Sequence, residues 1–172
     1  ARPDFPVADR SKFSDSDINA AAKGMYLIRD YDDSKPKHGV ILVQGSSSTV
    51  NLVNIIDKIE ENGLNIKIVS AISEELFNHQ SEAYREKVLS NKDKNNCMVI
   101  TTGTKRVWPV SGLGQLTDEY SLTSDSDDQW LTGGSEDDVI KEAKLDKDSI
   151  FNAILKFAND HENRMKRLSD SI

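Results

Sequence analysis

Val40-Ile41-Leu42-Val43-Gln44-Gly45-Ser46-Ser47-Ser48 is the stretch that decides the fold. Four apolar residues in an unbroken run fit a strand buried on both faces, as the inner strands of a parallel sheet are. The Gly/Ser turn leads into a helical stripe of Leu52, Ile55, Ile56 and Ile59. A serine in the turn can cap that helix, and Gly63 sits where a left-handed stop belongs. Ile66-Lys67-Ile68-Val69 is the next strand, which completes a strand–helix–strand unit. Beyond it, Ser73 and Ser81 each precede acidic residues and short helical patterns, and Cys97-Met98-Val99-Ile100-Thr101 reads as a third buried strand. Upstream, Gly24-Met25-Tyr26-Leu27-Ile28-Arg29-Asp30 reads as a short strand. It follows a linker rather than a crossover helix, so it is the expected antiparallel member.

Further along, residues 103–132 carry Gly112, Gly114, Trp108, Trp130 and an acidic run, with a strand expected at Tyr120-Ser121-Leu122-Thr123. Ser135-Glu136-Asp137-Asp138 has capping-box spacing ahead of Val139 and Ile140. A last helix places Ile150, Ile154, Ala158, His161, Met165 and Leu168 on one face. The alternation predicts an α/β three-layer sandwich: a mostly parallel sheet of about five strands, one of them antiparallel, with helices on both faces. Residues 1–22, with Pro3 and Pro6 flanking Phe5 and an Asp/Ser-rich run behind them, read as a linker from a preceding domain. Residues 23–172 read as the α/β domain. Ala1-Arg2-Pro3 reads like the middle of a longer protein.

The composition narrows the function. A net charge of −7, from 29 acidic and 22 basic residues, argues against a nucleic-acid partner. Arg164, Lys166 and Arg167 gather in the last turns, where they are expected to complement a helix dipole. Cys97 is the single cysteine, so no internal disulfide can form and a reducing, cytoplasmic setting is expected. It lies in an apolar run and reads as a buried core residue rather than a nucleophile. No apolar run approaches the ~20 residues needed to span a bilayer, and no signal-peptide pattern opens the sequence.

Candidate chemistry is sparse. The Gly45-Ser46-Ser47 turn at a helix N-terminus can hold an anion through backbone N–H groups. It lacks the full Gly-x-Gly-x-x-Gly pattern and a Walker lysine, so a turn that simply needs small residues is favoured. His38, His79 and His161 are scattered, with no His-x-x-x-His pair and no Cys/His cluster for zinc. His79 beside Gln80 lacks a nucleophile or orienting carboxylate at matching spacing. Asp125, Asp127 and Asp128 lack the glycine and terminal glutamate of a calcium loop and read as a solvated run. Trp108 and Trp130 read as core or interface residues. No self-contained active site emerges, and no catalytic, cofactor-binding or metal-ligating residue is assigned.

One resemblance adds to this. Val69 to Leu89, with its Ser73 cap, Phe77, Gln80 and the Ala83-Tyr84-Arg85-Glu86-Lys87-Val88-Leu89 block, resembles the C-terminal domain of the transketolases. Gly24 to Asp30 resembles that family's Gly-Gly-Tyr-Val-Leu-x-Asp, and Val40 to Ser48 its strand and Gly-Ser turn. Gly134-Ser135 resembles its closing Gly-x-Ser segment, although the Ala-Pro that follows there is missing. The resemblance implies a domain of a thiamine-diphosphate enzyme that moves ketol units between sugar phosphates. It also implies a role in organising the subunit, with no turnover by this chain alone. Thiamine diphosphate and Mg2+ (or Ca2+) belong to the parent enzyme, and none is expected on this chain, which has no Gly-Asp-Gly. The implied partners are the N-terminal and middle domains of the parent chain and a second subunit of a homodimer. Arg2 matches the arginine that binds the substrate phosphate, a task suited to a guanidinium's planar fork. Two alternatives remain: a free-standing anion- or nucleotide-binding domain using the Gly45 turn, and the last domain of a ketoacid dehydrogenase or deoxyxylulose phosphate synthase.

Overall fold

A computed structural model describes residues 7–125 and 131–170. Strands β1 (Met25–Arg29), β2 (Gly39–Gln44), β3 (Ile66–Ala71) and β4 (Cys97–Thr101) form one sheet in the order β1-β3-β2-β4. β2 pairs in parallel with β3 and with β4, while β1 is the expected antiparallel member and runs along β3.

Strand alternation sorts the core into two halves. Ile28, Ile41, Val43, Ile68, Met98 and Ile100 share one half with Leu52, Ile59, Ile154 and Phe157. These helical residues come from α1 (Ser46–Val53), α2 (Ile56–Glu61) and α8 (Lys147–Asn159). Met25, Leu27, Val40, Leu42, Val69 and Val99 share the other half with Phe77, Val88 and Leu89. Those three lie on or beside α3 (Glu74–Asn78) and α4 (Glu82–Val88), ahead of α5 (Asn91–Asn95). Both faces are therefore covered, giving the three layers expected. Among the described residues no helix is long and apolar enough to cross a membrane.

Several local expectations change. Among the described residues the sheet has four strands, and the expected fifth is reduced to a single parallel bridge between Ile100 and Leu122. Tyr120 instead closes the short helix α6 (Thr117–Tyr120). The Ser121 hydroxyl then accepts the Val99 N–H at 2.9 Å, occupying a β4 donor that a fifth strand would need. Leu52, Ile55, Ile56 and Ile59 are all buried, but their stripe is broken at Asn54 and Ile55, where Ile55 N–H bonds Leu52 O at 3.1 Å. No serine caps α1; Gly45 takes that position without a side-chain bond. Gly63 does take a left-handed φ of 71°.

Ser73, Ser81 and Ser135 cap α3, α4 and α7 (Glu136–Glu142), as their spacing predicts. The single last helix is two, α8 and α9 (His161–Asp170), hinged at Asp160. Asp160 accepts the Tyr120 hydroxyl and the Asn163 amide, which turns the chain there. Ile150, Ile154 and Ala158 reach the core, whereas His161, Met165 and Leu168 line a cleft.

The described residues ahead of β1 dock against the core. Phe13 is buried in the first core half and stacks on Tyr26 with ring centroids 6.4 Å apart. The Arg10 guanidinium lies over both rings.

Candidate functional site

At the carboxyl end of β2 stands the turn singled out as an anion cradle. Gly45 has a φ of 97°, and a Cβ there would lie 2.5 Å from the Thr102 Oγ1. Packing against Thr102, together with the left-handed backbone, is enough to require glycine. Thr101 Oγ1 donates to Gln44 Oε1 at 3.1 Å and accepts the Gly103 N–H at 2.9 Å, locking the β2 and β4 exits together. A hollow of about 480 Å³ opens beside this turn, between Val7, Tyr26, Ser46, Thr49 and Ile72. Among the described residues no Lys, Arg or His lines it. The helix N-terminus stands alone.

The larger cleft, about 1080 Å³, lies at the amino ends of the parallel strands. Lys67 is only 5% exposed, yet it is the second residue of β3, where the alternation would place an apolar side chain. Its ammonium donates to Lys87 O at 2.8 Å and to Asp93 Oδ2 at 3.0 Å. Asp93 in turn closes the capping box of α5 with Ser90. The Tyr31 ring carries Lys37 Nζ at 4.9 Å and Lys67 Nζ at 5.8 Å. Burial, and then the charges of Asp93 and Asp30, push the Tyr31 hydroxyl far above the usual phenol range. Lys37 also pairs with Asp33 at 2.8 Å. Lys37 and Lys67 thus already have carboxylate partners: a polar cluster built to satisfy itself.

Two histidines scattered in sequence meet at this end. The rings of His38 and His161 stand edge-to-face with centroids 6.0 Å apart, and His38 Nδ1 accepts the Asn65 N–H at 3.0 Å. His161 Nδ1 is buried without a partner among the described residues. Burial, then Arg164 and His38, hold its pKa below the ordinary 6.5. A histidine whose folded pKa is depressed binds its proton more readily in the unfolded chain. Stability should therefore fall as pH drops below about 6.5 and level off once the folded-state histidine is also charged. His161→Gln should flatten that part of a stability–pH curve measured by urea unfolding. An unchanged slope would place the titration elsewhere.

Arg164 is the residue the sequence reading misassigned. It does not complement a dipole from solvent; it is 1% exposed, with its guanidinium carbon 3.6 Å from the centre of the Phe157 ring. It donates to His38 O at 2.7 Å, to Asn96 Oδ1 at 3.0 Å and to Phe157 O. Burial draws its pKa down to about 10. Its spacing of seven residues from the aromatic Phe157, which an unbroken helix would place on one face, is the sequence signal that could have found it. Arg167 pairs with Glu119 at 2.5 Å.

The remaining candidates separate. Cys97 is buried, and that burial pushes its thiol up to about 11, which makes it inert. His79 closes α3 and takes no part in the cleft. Asp125 accepts from Lys105 N–H and from Thr123 Oγ1. Trp108 is partly buried against the second core half. Arg2, Asp127, Asp128 and Trp130 lie outside the described residues.

An open sheet covered by helices on both faces, with one antiparallel edge, defines an α/β domain. The chain belongs to the family of transketolase-like C-terminal domains, whose profile, described as the transketolase-like TK C-terminal domain, matches residues 24–117. The relatives agree. The chain is 35% identical to a chloroplastic transketolase of Solanum tuberosum over 72 residues, 42% of this chain and 10% of that protein. It is 35% identical to transketolase 7 of Craterostigma plantagineum over 94 residues, 51% of this chain and 14% of that protein. Among solved structures, a Pichia stipitis transketolase mutant in complex with xylulose 5-phosphate superimposes with a TM-score of 0.65 at 18% identity. That superposition covers 88% of this chain and 20% of the other. A Leishmania mexicana transketolase gives 0.63 at 19% identity, over 87% of this chain and 20% of that one. At such identities the structures establish the fold. The chain thus spans about a fifth or less of the proteins it matches, and it is a domain of a transketolase-like protein.

Proposed function

We propose that this domain organises the subunit of an enzyme that transfers two-carbon ketol units between sugar phosphates, and that it performs no turnover alone. The observation that carries this reading is the family match over residues 24–117. The reading also takes in a linker through residue 22, a homodimeric parent and a cytoplasmic setting, which suits the unpaired, buried Cys97. The parent's thiamine diphosphate and Mg2+ (or Ca2+) would be held by its other domains. This chain has no Gly-Asp-Gly, and among the described residues no three His, Cys, Asp or Glu side chains converge to hold a metal.

Arg2 is proposed to contribute to substrate phosphate binding in the intact protein. One assay tests both points, using xylulose 5-phosphate, ribose 5-phosphate, thiamine diphosphate and Mg2+. The 172-residue chain should give no rate above blank. The intact parent should turn over, and its Arg2→Ala variant should show a Michaelis constant raised about 10–100-fold, the equivalent of a charge-assisted contact of about 1.5–3 kcal/mol. Ketol transfer by the isolated chain would defeat the organising role. An unchanged Michaelis constant would remove Arg2 from the site.

A further inference from the structure

Asn62-Gly63 is the one place in the sequence where an asparagine is followed by glycine. The pair closes α2 and opens the turn to β3, with both residues exposed. Gly63 takes a φ of 71°, and a Cβ there would meet nothing within 4 Å, so the space beside this peptide link is open. The missing side chain matters, because a Cβ would crowd the approach of the residue's own amide nitrogen to the Asn62 side-chain carbonyl. Two bonds restrain the pair: the Asn62 amide donates to Lys58 O at 2.8 Å, and Gly63 N–H to Glu60 O at 2.9 Å. Both carbonyls belong to the last turns of a six-residue helix, and helix ends fray. Asn65 is the contrast: it is followed by Ile66 and is 1% exposed.

We infer that Asn62 is a site of spontaneous deamidation, and that its isoaspartyl product loosens the segment 32–38, which brings Asp33 and Lys37 to the polar cleft. This does not depend on the function proposed above. When the end of α2 frays, the Gly63 amide nitrogen attacks the Asn62 Cγ. A C–N bond forms, the Cγ–Nδ2 bond breaks, and ammonia leaves with the Gly63 amide proton. Water then opens the cyclic imide at either carbonyl. One opening gives aspartate; the other gives isoaspartate, whose main chain runs through the former side chain and is longer by one carbon. Either product puts a carboxylate at a helix C-terminus, behind Glu60 and Glu61, where the dipole disfavours it. Neither can donate to Lys58 O. The added length has a specific target. Asn65 N–H donates to His38 Nδ1 at 3.0 Å, and His38 N–H returns to Asn65 O at 2.9 Å. The Asn65 side chain accepts the Asp32 N–H and donates to Asp32 O and Lys35 O. Asn65 thus ties segment 32–38 to the start of β3, and the extra carbon enters the chain just ahead of that tie.

The test incubates the intact protein at mildly alkaline pH, then maps its peptides by mass spectrometry and counts isoaspartate by isoaspartyl methyltransferase labelling. Asn62 should convert at least about tenfold faster than any other asparagine, which corresponds to a barrier lower by about 1.4 kcal/mol. Gly63→Ala should slow conversion at least about tenfold, although its left-handed φ strains that variant and favours fraying. Asn62→Gln should slow it likewise, because the imide ring must then be larger, and it leaves the Gly63 backbone unstrained. Native hydrogen exchange of the separated isoaspartyl form should be faster across segment 32–38 than in the unconverted protein. It should also be faster there than in freshly prepared Asn62→Asp, which adds the charge without the length. Conversion at Asn62 no faster than at other asparagines, or undiminished in both slowing variants, overturns the site. Equal exchange in the isoaspartyl and Asn62→Asp forms overturns the effect on segment 32–38.

Discussion

Arg164→Met should destabilise the domain by about 3–5 kcal/mol in urea unfolding. Methionine fills most of the space but donates nothing, so the His38 and Phe157 carbonyls and the Asn96 side-chain oxygen lose a shared donor together. Replacing a buried charge by an apolar group is often neutral when its partners are replaced too. Here two of the three acceptors are backbone and cannot be removed. They also belong to three separate segments: the lead into β2, the residue before β4, and the inner face of α8. The guanidinium ties all three to α9. Amides of α9 should accordingly exchange fastest in the variant. Arg164→Lys should recover only part of the loss, because an ammonium lacks the planar fork and stacks less well on Phe157. A cost below about 1 kcal/mol would mean that water from the neighbouring cleft replaces the donor.

The same residue shows where reading the chain by itself falls short. Strand positions were legible because parallel strands covered on both faces must be apolar throughout, and β2 is an unbroken apolar run for that reason. The caps at Ser73, Ser81 and Ser135 were legible because each depends on its own neighbours in sequence. Several of the failures depend on partners distant in sequence. Tyr120-Ser121-Leu122-Thr123 has strand propensity, but the Ser121 hydroxyl occupies the Val99 donor and stops the ladder. Gly45 needs no ligand to account for it, since Thr102, at the exit of the neighbouring strand β4, stands against it. Asp160 divides the last helix by accepting the Tyr120 hydroxyl from forty residues upstream. The domain's membership was carried by ordered local blocks, whereas its polar cleft was written in Lys67, Asp93, His38 and His161, which no local pattern joins.

Ile41→Ala should cost about 2–5 kcal/mol, toward the upper part of that range. Ile41 is completely buried at the centre of β2, with its backbone between Ile68 of β3 and Met98 of β4. Its side chain belongs to the core half shared with Leu52, Ile59 and Phe157. Truncation removes the transfer energy of three carbons and leaves a cavity. How far that cavity collapses sets where in the range the value falls. Collapse is restricted here, because strands on both sides hold the backbone in register and the helices above it are packed against other strands as well. Val7→Ala, at a side chain 92% exposed, should by contrast stay within about 0.5 kcal/mol in the isolated chain. The midpoint of urea unfolding separates the two at constant slope. If Ile41→Ala cost less than about 1 kcal/mol, β2 would not be the centre of the core. The sheet order on which the placement of the cleft depends would then be wrong.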